Sequence, residues 1–93
     1  MYYVYVLLSE KDERFYTGFT DDLHRRIEEH NRGDGVSTKS RIPFKLIYYE
    51  WCITKEDAVI REKNLKSGRG KRYLRSRLKC YLEREGKGMA DFE

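Results

Sequence analysis

A carboxylate set into the apolar stripe of a helix is the sharpest chemical signal in the chain. Glu62 has Ala58 and Val59 four and three residues before it and Leu65 three after, so helical geometry places it among side chains that face a core. An ionised carboxylate there is costly unless a cation meets it. Two partners fit: an arginine such as Arg26, which would make Glu62 half of a structural ion pair, or a metal ion. Two other features carry chemistry less sharply. Tyr5 and Tyr16 stand in short apolar runs on either side of Asp12, where a hairpin would bring them to neighbouring strands. A half-buried tyrosine hydroxyl needs a partner, although in a chain with eight tyrosines aromatic packing alone accounts for such a pair. Arg26 follows Leu23 by three residues and precedes His30 by four, so it borders an apolar face and can pair with Asp22 or Glu29. His30, one turn further on, has the position of a satisfied helix-end histidine.

The elements that must hold these residues can be read from pattern and punctuation. Tyr2 to Leu8 is apolar throughout and reads as a central strand covered on both faces; Phe15 to Phe19 reads as its hairpin partner. A helix follows, capped by Thr20 or Asp21 and stopped at Gly33, with Leu23, Ile27 and His30 at helical spacing. Gly35 to Pro43 reads as a loop, with a polar, basic centre at Ser37 to Arg41, and Phe44 to Trp51 as a third strand. Thr54 and Asp57 make a capping-box variant for a second helix that runs to about Lys66 and ends at Ser67-Gly68. A last helix spans Lys71 to Glu85 with Leu74, Leu78, Tyr81 and Leu82 as its stripe and Arg72, Arg75 and Lys79 off it, and a loose tail follows from Gly86. The order β-β-α-β-α-α describes an α+β domain, a three-stranded, mostly antiparallel sheet flanked by helices.

Length and composition narrow the function classes. Ninety-three residues make one domain near the small end of what folds around a single core. The mean hydropathy of −0.89 and the scattered charges exclude a membrane span, and the apolar start lacks the basic segment of a secretory signal. Cys52 and Cys80 are too few for a disulfide scaffold and read as free core thiols of a cytoplasmic protein. Charge is unevenly placed. Residues 1–60 carry nine Lys or Arg against eleven Asp or Glu, whereas 61–84 carry ten against two. Such a concentrated positive stretch fits a polyanionic partner, and equally a solvated helix face.

Several of these segments together resemble one family. Tyr3-Val4-Tyr5-Val6, Phe15-Tyr16-Thr17-Gly18, the helix Leu23 to Asn31 with its Leu-x-x-Arg spacing, and Glu56 to Gly68 with its single inward carboxylate are similar, in that order, to the GIY-YIG nuclease domain, and in arrangement to its small stand-alone bacterial members. Thr17 stands in place of the second motif's isoleucine. The resemblance implies roles residue by residue. Tyr5 and Tyr16 would be the tyrosines of the two motifs, with Tyr5 favoured as the base and Tyr16 as a positioning group. Gly18 would be the structural glycine, Arg26 the helix arginine, His30 the family's frequent histidine, and Glu62 the ligand of Mg²⁺ or Mn²⁺. The implied activity is metal-dependent hydrolysis of phosphodiester bonds in nucleic acid, DNA ahead of RNA, with low sequence specificity. Lys39, Arg41, Lys66, Arg69, Lys71 and Arg72 would hold the backbone, and a separate protein would supply targeting. The alternatives are a nucleic-acid-binding module without turnover and a protein-interaction domain.

Overall fold

The computed structural model of the chain describes residues 1–86. The apolar run becomes strand β1 (Tyr2–Ser9), in which Val4 to Ser9 are buried. It is buried because it is the middle strand: β2 (Phe15–Thr20) pairs with one edge and β3 (Phe44–Cys52) with the other, both antiparallel, giving the order β2-β1-β3. Alternate residues of β1 feed two cores. On one face Val4 and Val6 pack with Ala58, Leu65 and Leu74 from the later helices. On the other, Tyr5 and Leu7 pack with Phe44, Tyr16, Leu23 and Ile27. The sheet is thus a middle layer with helix α1 (Leu23–Arg32) on one side and α2 (Lys55–Lys66) with α3 (Gly68–Arg77) on the other, the α+β arrangement expected.

Several local expectations need correction. The N-cap of α1 is Asp22, whose carboxylate accepts from the Arg25 amide at 3.1 Å. Thr20 instead accepts from the Asp22 amide and shapes the turn before the helix, and Asp21 pairs with Arg25. Thr54 does cap α2, accepting from the Asp57 amide. The last helix is two. The α3 helix starts at Gly68, capped by the Ser67 hydroxyl, and Leu78 leaves helical geometry before α4 (Lys79–Glu85). Glycines at 68 and 70 carry low helix propensity, so the cap and the packing against α2 decide the start. Leu74 and Leu82 are buried as expected, but so is Arg75. Cys80 is exposed rather than in the core, because it lies two residues, about 200°, around the helix from buried Leu82. Gly86 caps α4, and the remainder of the expected tail lies outside the described residues.

Among the described residues no helix is long and apolar enough to cross a membrane.

Candidate active site

The Tyr5 side chain leans from the central strand across β2, the edge strand, and Gly18 is the residue that lets it through. Tyr5 and Gly18 are direct partners in the ladder. A Cβ on Gly18 would come within 2.6 Å of the Tyr5 hydroxyl oxygen and 2.8 Å of Cζ. Tyr5 is 1% exposed, so its hydroxyl must find a partner inside the protein. It finds His30, whose Nε2 lies 3.0 Å away and whose ring is also buried.

One tautomer of His30 satisfies every hydrogen bond around the ring. The Thr38 hydroxyl donates to the Gly35 carbonyl at 3.4 Å, so it accepts from Nδ1–H of His30 at 3.2 Å. Nε2 is then an unprotonated acceptor, and the Tyr5 O–H donates to it. A directed relay runs from Tyr5 through His30 to the loop before β3. Burial, and then the charge of Arg26, lower the His30 pKa below its ordinary value against a weaker opposing effect of Glu29, which keeps the ring neutral and the acceptor available.

The charges of Arg26, Tyr16 and Glu62 act on the same hydroxyl. Burial pushes the Tyr5 pKa up to about 12; the neighbouring Arg26 guanidinium opposes this, and Tyr16 and Glu62 add to it. Arg26 is held in place by Glu29, Nη1 to Oε1 at 3.0 Å, the i,i+3 alternative read from the sequence. The Tyr16 ring meets the His30 ring edge-on at 4.8 Å between centroids. Glu62 comes from the opposite side of the sheet, on α2, which packs across β1 and β2. The Arg26–Glu62 ion pair does not form. Glu62 instead binds Lys66 one turn away, Oε2 to Nζ at 3.1 Å, with a side chain only 17% exposed.

Glu62 is suited to a hard cation. No group of three or more His, Cys, Asp or Glu side chains gathers among the described residues. One carboxylate with an oxygen left over from the Lys66 bond fits Mg²⁺, which keeps several waters and takes its other ligands from substrate phosphates.

The basic candidates divide. Arg41 is committed to the fold: it binds Asp12 at 2.6 Å, donates to the carbonyls of Arg14 and Phe15, and lies over the Phe44 ring. Burial of Asp12 would raise its carboxyl pKa, but Arg41 and nearby donors hold it below the usual value. Lys39 packs its stem near Gly33 at the end of α1. Lys66, Arg69, Lys71 and Arg72 lie where α2 turns into α3. Sequence reasoning missed Thr38, buried and bonded to His30, because a threonine in a polar loop carries no signal of an inward hydroxyl. It also missed Asn31, whose side-chain amide pairs with both the N–H and C=O of Phe44 and ties α1 to β3.

Comparison with known proteins gives a consistent family. The model of the GIY-YIG catalytic domain matches residues 1–75. A UPF0213 protein of Haloquadratum walsbyi is 42% identical over 67 residues, 71% of this chain and 74% of the relative. One of Clostridium perfringens is 46% identical over 67 residues, 71% of each chain. One of Staphylococcus aureus is 39% identical over 75 residues, 80% of this chain and 90% of its own. The solution NMR structure of a UPF0213 protein from Bacillus halodurans, 41% identical, superposes with a TM-score of 0.50 over 82% of this chain and 84% of that one.

Proposed function

Because the chain belongs to the GIY-YIG catalytic-domain family, we propose that it is a metal-dependent endonuclease that hydrolyses phosphodiester bonds, in DNA ahead of RNA. The observation that carries this reading is the buried relay from Tyr5 to His30, beside Arg26, with Tyr16 against the His30 ring and Glu62 on the helix that packs across the same two strands. A phenol whose pKa is raised to about 12 is not a phenolate at neutral pH. It can still act as a base if it gives up one proton as it takes another. The attacking water loses its proton to the Tyr5 oxygen while the Tyr5 proton passes to Nε2 of His30. The water oxygen bonds to phosphorus, and the bond from phosphorus to the leaving oxygen breaks. The directed hydrogen bonds leave His30 free to accept, and Thr38 holds the ring in register. Arg26, fixed by Glu29, is placed to take charge on the phosphoryl oxygens with its fork of donors. Tyr16 packs against His30 and limits the approach of the water.

A divalent cation on Glu62 supplies, when bound, charge stabilisation of the phosphoryl and leaving oxygens. Lys66 holds the Glu62 carboxylate in its rotamer by an i,i+4 pair. Lys39, Lys66, Arg69, Lys71 and Arg72 are the cations we assign to the nucleic-acid backbone, and they favour binding without sequence choice. Arg41 is not among them, because its guanidinium is spent on Asp12.

The test is cleavage of labelled single-stranded, duplex and branched DNA, and of RNA, with Mg²⁺ or Mn²⁺ against EDTA. Metal-dependent cutting that Glu62→Gln abolishes with the fold intact is the expected result. Normal cutting by Glu62→Gln would remove the metal assignment. Salt-sensitive binding without cutting on any substrate would make the chain a binding module.

A further inference from the structure

Where α2 turns into α3 the surface forms a cleft of about 490 Å³ lined by Arg61, Asn64, Ser67, Arg69, Gly70 and Tyr73. That volume lies within the range of about 300–1,000 Å³ typical of small-molecule sites. Residues 61–73 carry six cations and one carboxylate, Glu62. The corner is therefore strongly positive, and it begins one residue from the candidate metal ligand.

One wall of the cleft is rigid. Glu50 on β3 grips Arg61 with two bonds of 2.8 Å, Nε to Oε1 and Nη2 to Oε2. Tyr48 donates to the same carboxylate at 2.6 Å and meets the Tyr73 hydroxyl at 3.1 Å. The Arg61 guanidinium lies over the Tyr73 ring, 5.1 Å from its centroid. This arrangement uses two of the three guanidinium nitrogens and leaves Nη1. A planar fork fixed by its neighbours loses little freedom when it binds an anion. Tyr73 remains 43% exposed, so an aromatic surface borders the fixed cation.

The other wall is open and unneutralised. No carboxylate pairs with Arg69 among the described residues, and the Asn64 side chain has no hydrogen-bond partner there, its backbone carbonyl accepting from Ser67. Gly70 brings the walls together. A Cβ on it would overlap the Asn64 carbonyl and the Leu65 backbone, so only glycine lets α3 approach α2 this closely. Fixed cation, free cation, free amide and exposed ring match one ligand class, a phosphate carrying a nucleoside.

We propose that this corner is a second phosphate site, which holds a nucleotide of the bound strand away from the bond being cut, its phosphate between Arg61, Asn64 and Arg69 and its base or sugar against Tyr73. The proposal rests on the nucleic-acid reading above, and it adds a fixed register between the strand and Glu62 on the neighbouring face of α2. A strand so anchored is cut at a set number of nucleotides from its gripped unit.

The test is an amide-resonance titration of the full chain, without divalent metal, with the dinucleotide pTpT and separately with inorganic phosphate. Shifts centred on Gly68, Arg69, Gly70 and the Arg61 side chain are expected, with tighter binding of pTpT than of phosphate. Arg69→Ala should weaken pTpT about tenfold, the loss of one charge-assisted hydrogen bond, and Asn64→Asp, which adds a negative charge, should weaken it further. Both residues are on the surface, so the fold should survive. Shifts confined to Tyr5, Arg26 and Glu62, or unchanged affinity in both variants, would overturn the site while leaving the nuclease reading standing. Equal affinity for phosphate and pTpT would overturn the role of Tyr73. Binding at the corner by a chain that cuts nothing would retain the phosphate site and remove the nuclease reading.

Discussion

At the scale of single residues the proposed relay makes His30 the group that sets the pH behaviour, because only its neutral form can accept the Tyr5 proton. Its folded-state pKa is depressed, so activity should be full at neutral pH and fall only as pH drops through a value below the ordinary histidine range. Stability follows the same sign. The contribution of a buried neutral histidine is complete above its unfolded pKa and is lost as pH falls through the lower folded value. His30→Gln should remove the acid limb of the rate profile, lower kcat by about 10²–10⁴-fold as the loss of a general base does, and flatten the acid side of the stability curve. A wild-type limb that persists in His30→Gln would assign the titration elsewhere. Gly18→Ala tests the approach of Tyr5 to β2. The added methyl would press on both Oη and Cζ, so we expect a loss of about 1–3 kcal/mol in urea unfolding together with a lower kcat, since the Tyr5 hydroxyl must move off His30. The residues that touch these groups show what sequence can carry. Arg26 with Glu29 is legible because i,i+3 spacing on a helix fixes proximity. Thr38 is not, because it follows His30 by eight residues in a loop with no periodic pattern.

At the scale of elements the α2–α3 corner gives two glycine substitutions of opposite sign. Alanine is the better helix former at both positions by about 0.5–1 kcal/mol. At position 68 nothing opposes it, since an added Cβ would meet only the Arg72 guanidinium at 3.8 Å. Gly68→Ala should therefore raise the urea midpoint slightly. At position 70 the Cβ would overlap backbone that cannot yield, so Gly70→Ala should destabilise by about 1–3 kcal/mol despite its better propensity. Equal effects of the two would mean that α3 does not pack on α2 through Gly70. The same corner is where the elements are hardest to read from sequence. Two glycines among basic residues read as a break, which puts the expected helix start at Lys71 rather than at Gly68. Ser67, whose hydroxyl accepts from the Gly70 amide, starts it earlier. The strands are easier to read. An uninterrupted apolar run of this length fits a strand covered on both faces, and β1 between two antiparallel neighbours is that strand.

At the scale of the whole molecule the division of charge and the division of labour differ. On the proposed function, the chemistry of Tyr5, Tyr16, Arg26 and His30 comes from residues 1–60, with their slight acidic excess, and most of the affinity for a polyanion from the later helices. Glu62 is the exception, a carboxylate of the basic half turned to the chemical side, and Lys66 beside it marks the boundary. The position of Glu62 on its helix makes it legible as an inward carboxylate. Its pair with Lys66 is open to the same spacing argument, i,i+4 on one helix, whereas the absence of an Arg26 pair is not, because that depends on how far α2 lies from α1 across the sheet. This separation predicts that binding and turnover come apart. Replacing Lys71 and Arg72 by alanine should weaken binding uniformly across nucleic-acid sequences and make the slope of log K against log salt shallower by about 0.9 for each phosphate no longer neutralised. With saturating substrate, kcat should be retained in that variant. Glu62→Gln should show the reverse, with near-normal affinity in the absence of metal and no cutting in its presence. The measurement is fluorescence anisotropy over a series of salt concentrations beside single-turnover cleavage at saturation. A fall of kcat in the Lys71/Arg72 variant at saturation would mean that the basic helix positions the scissile phosphate as well as binding the strand.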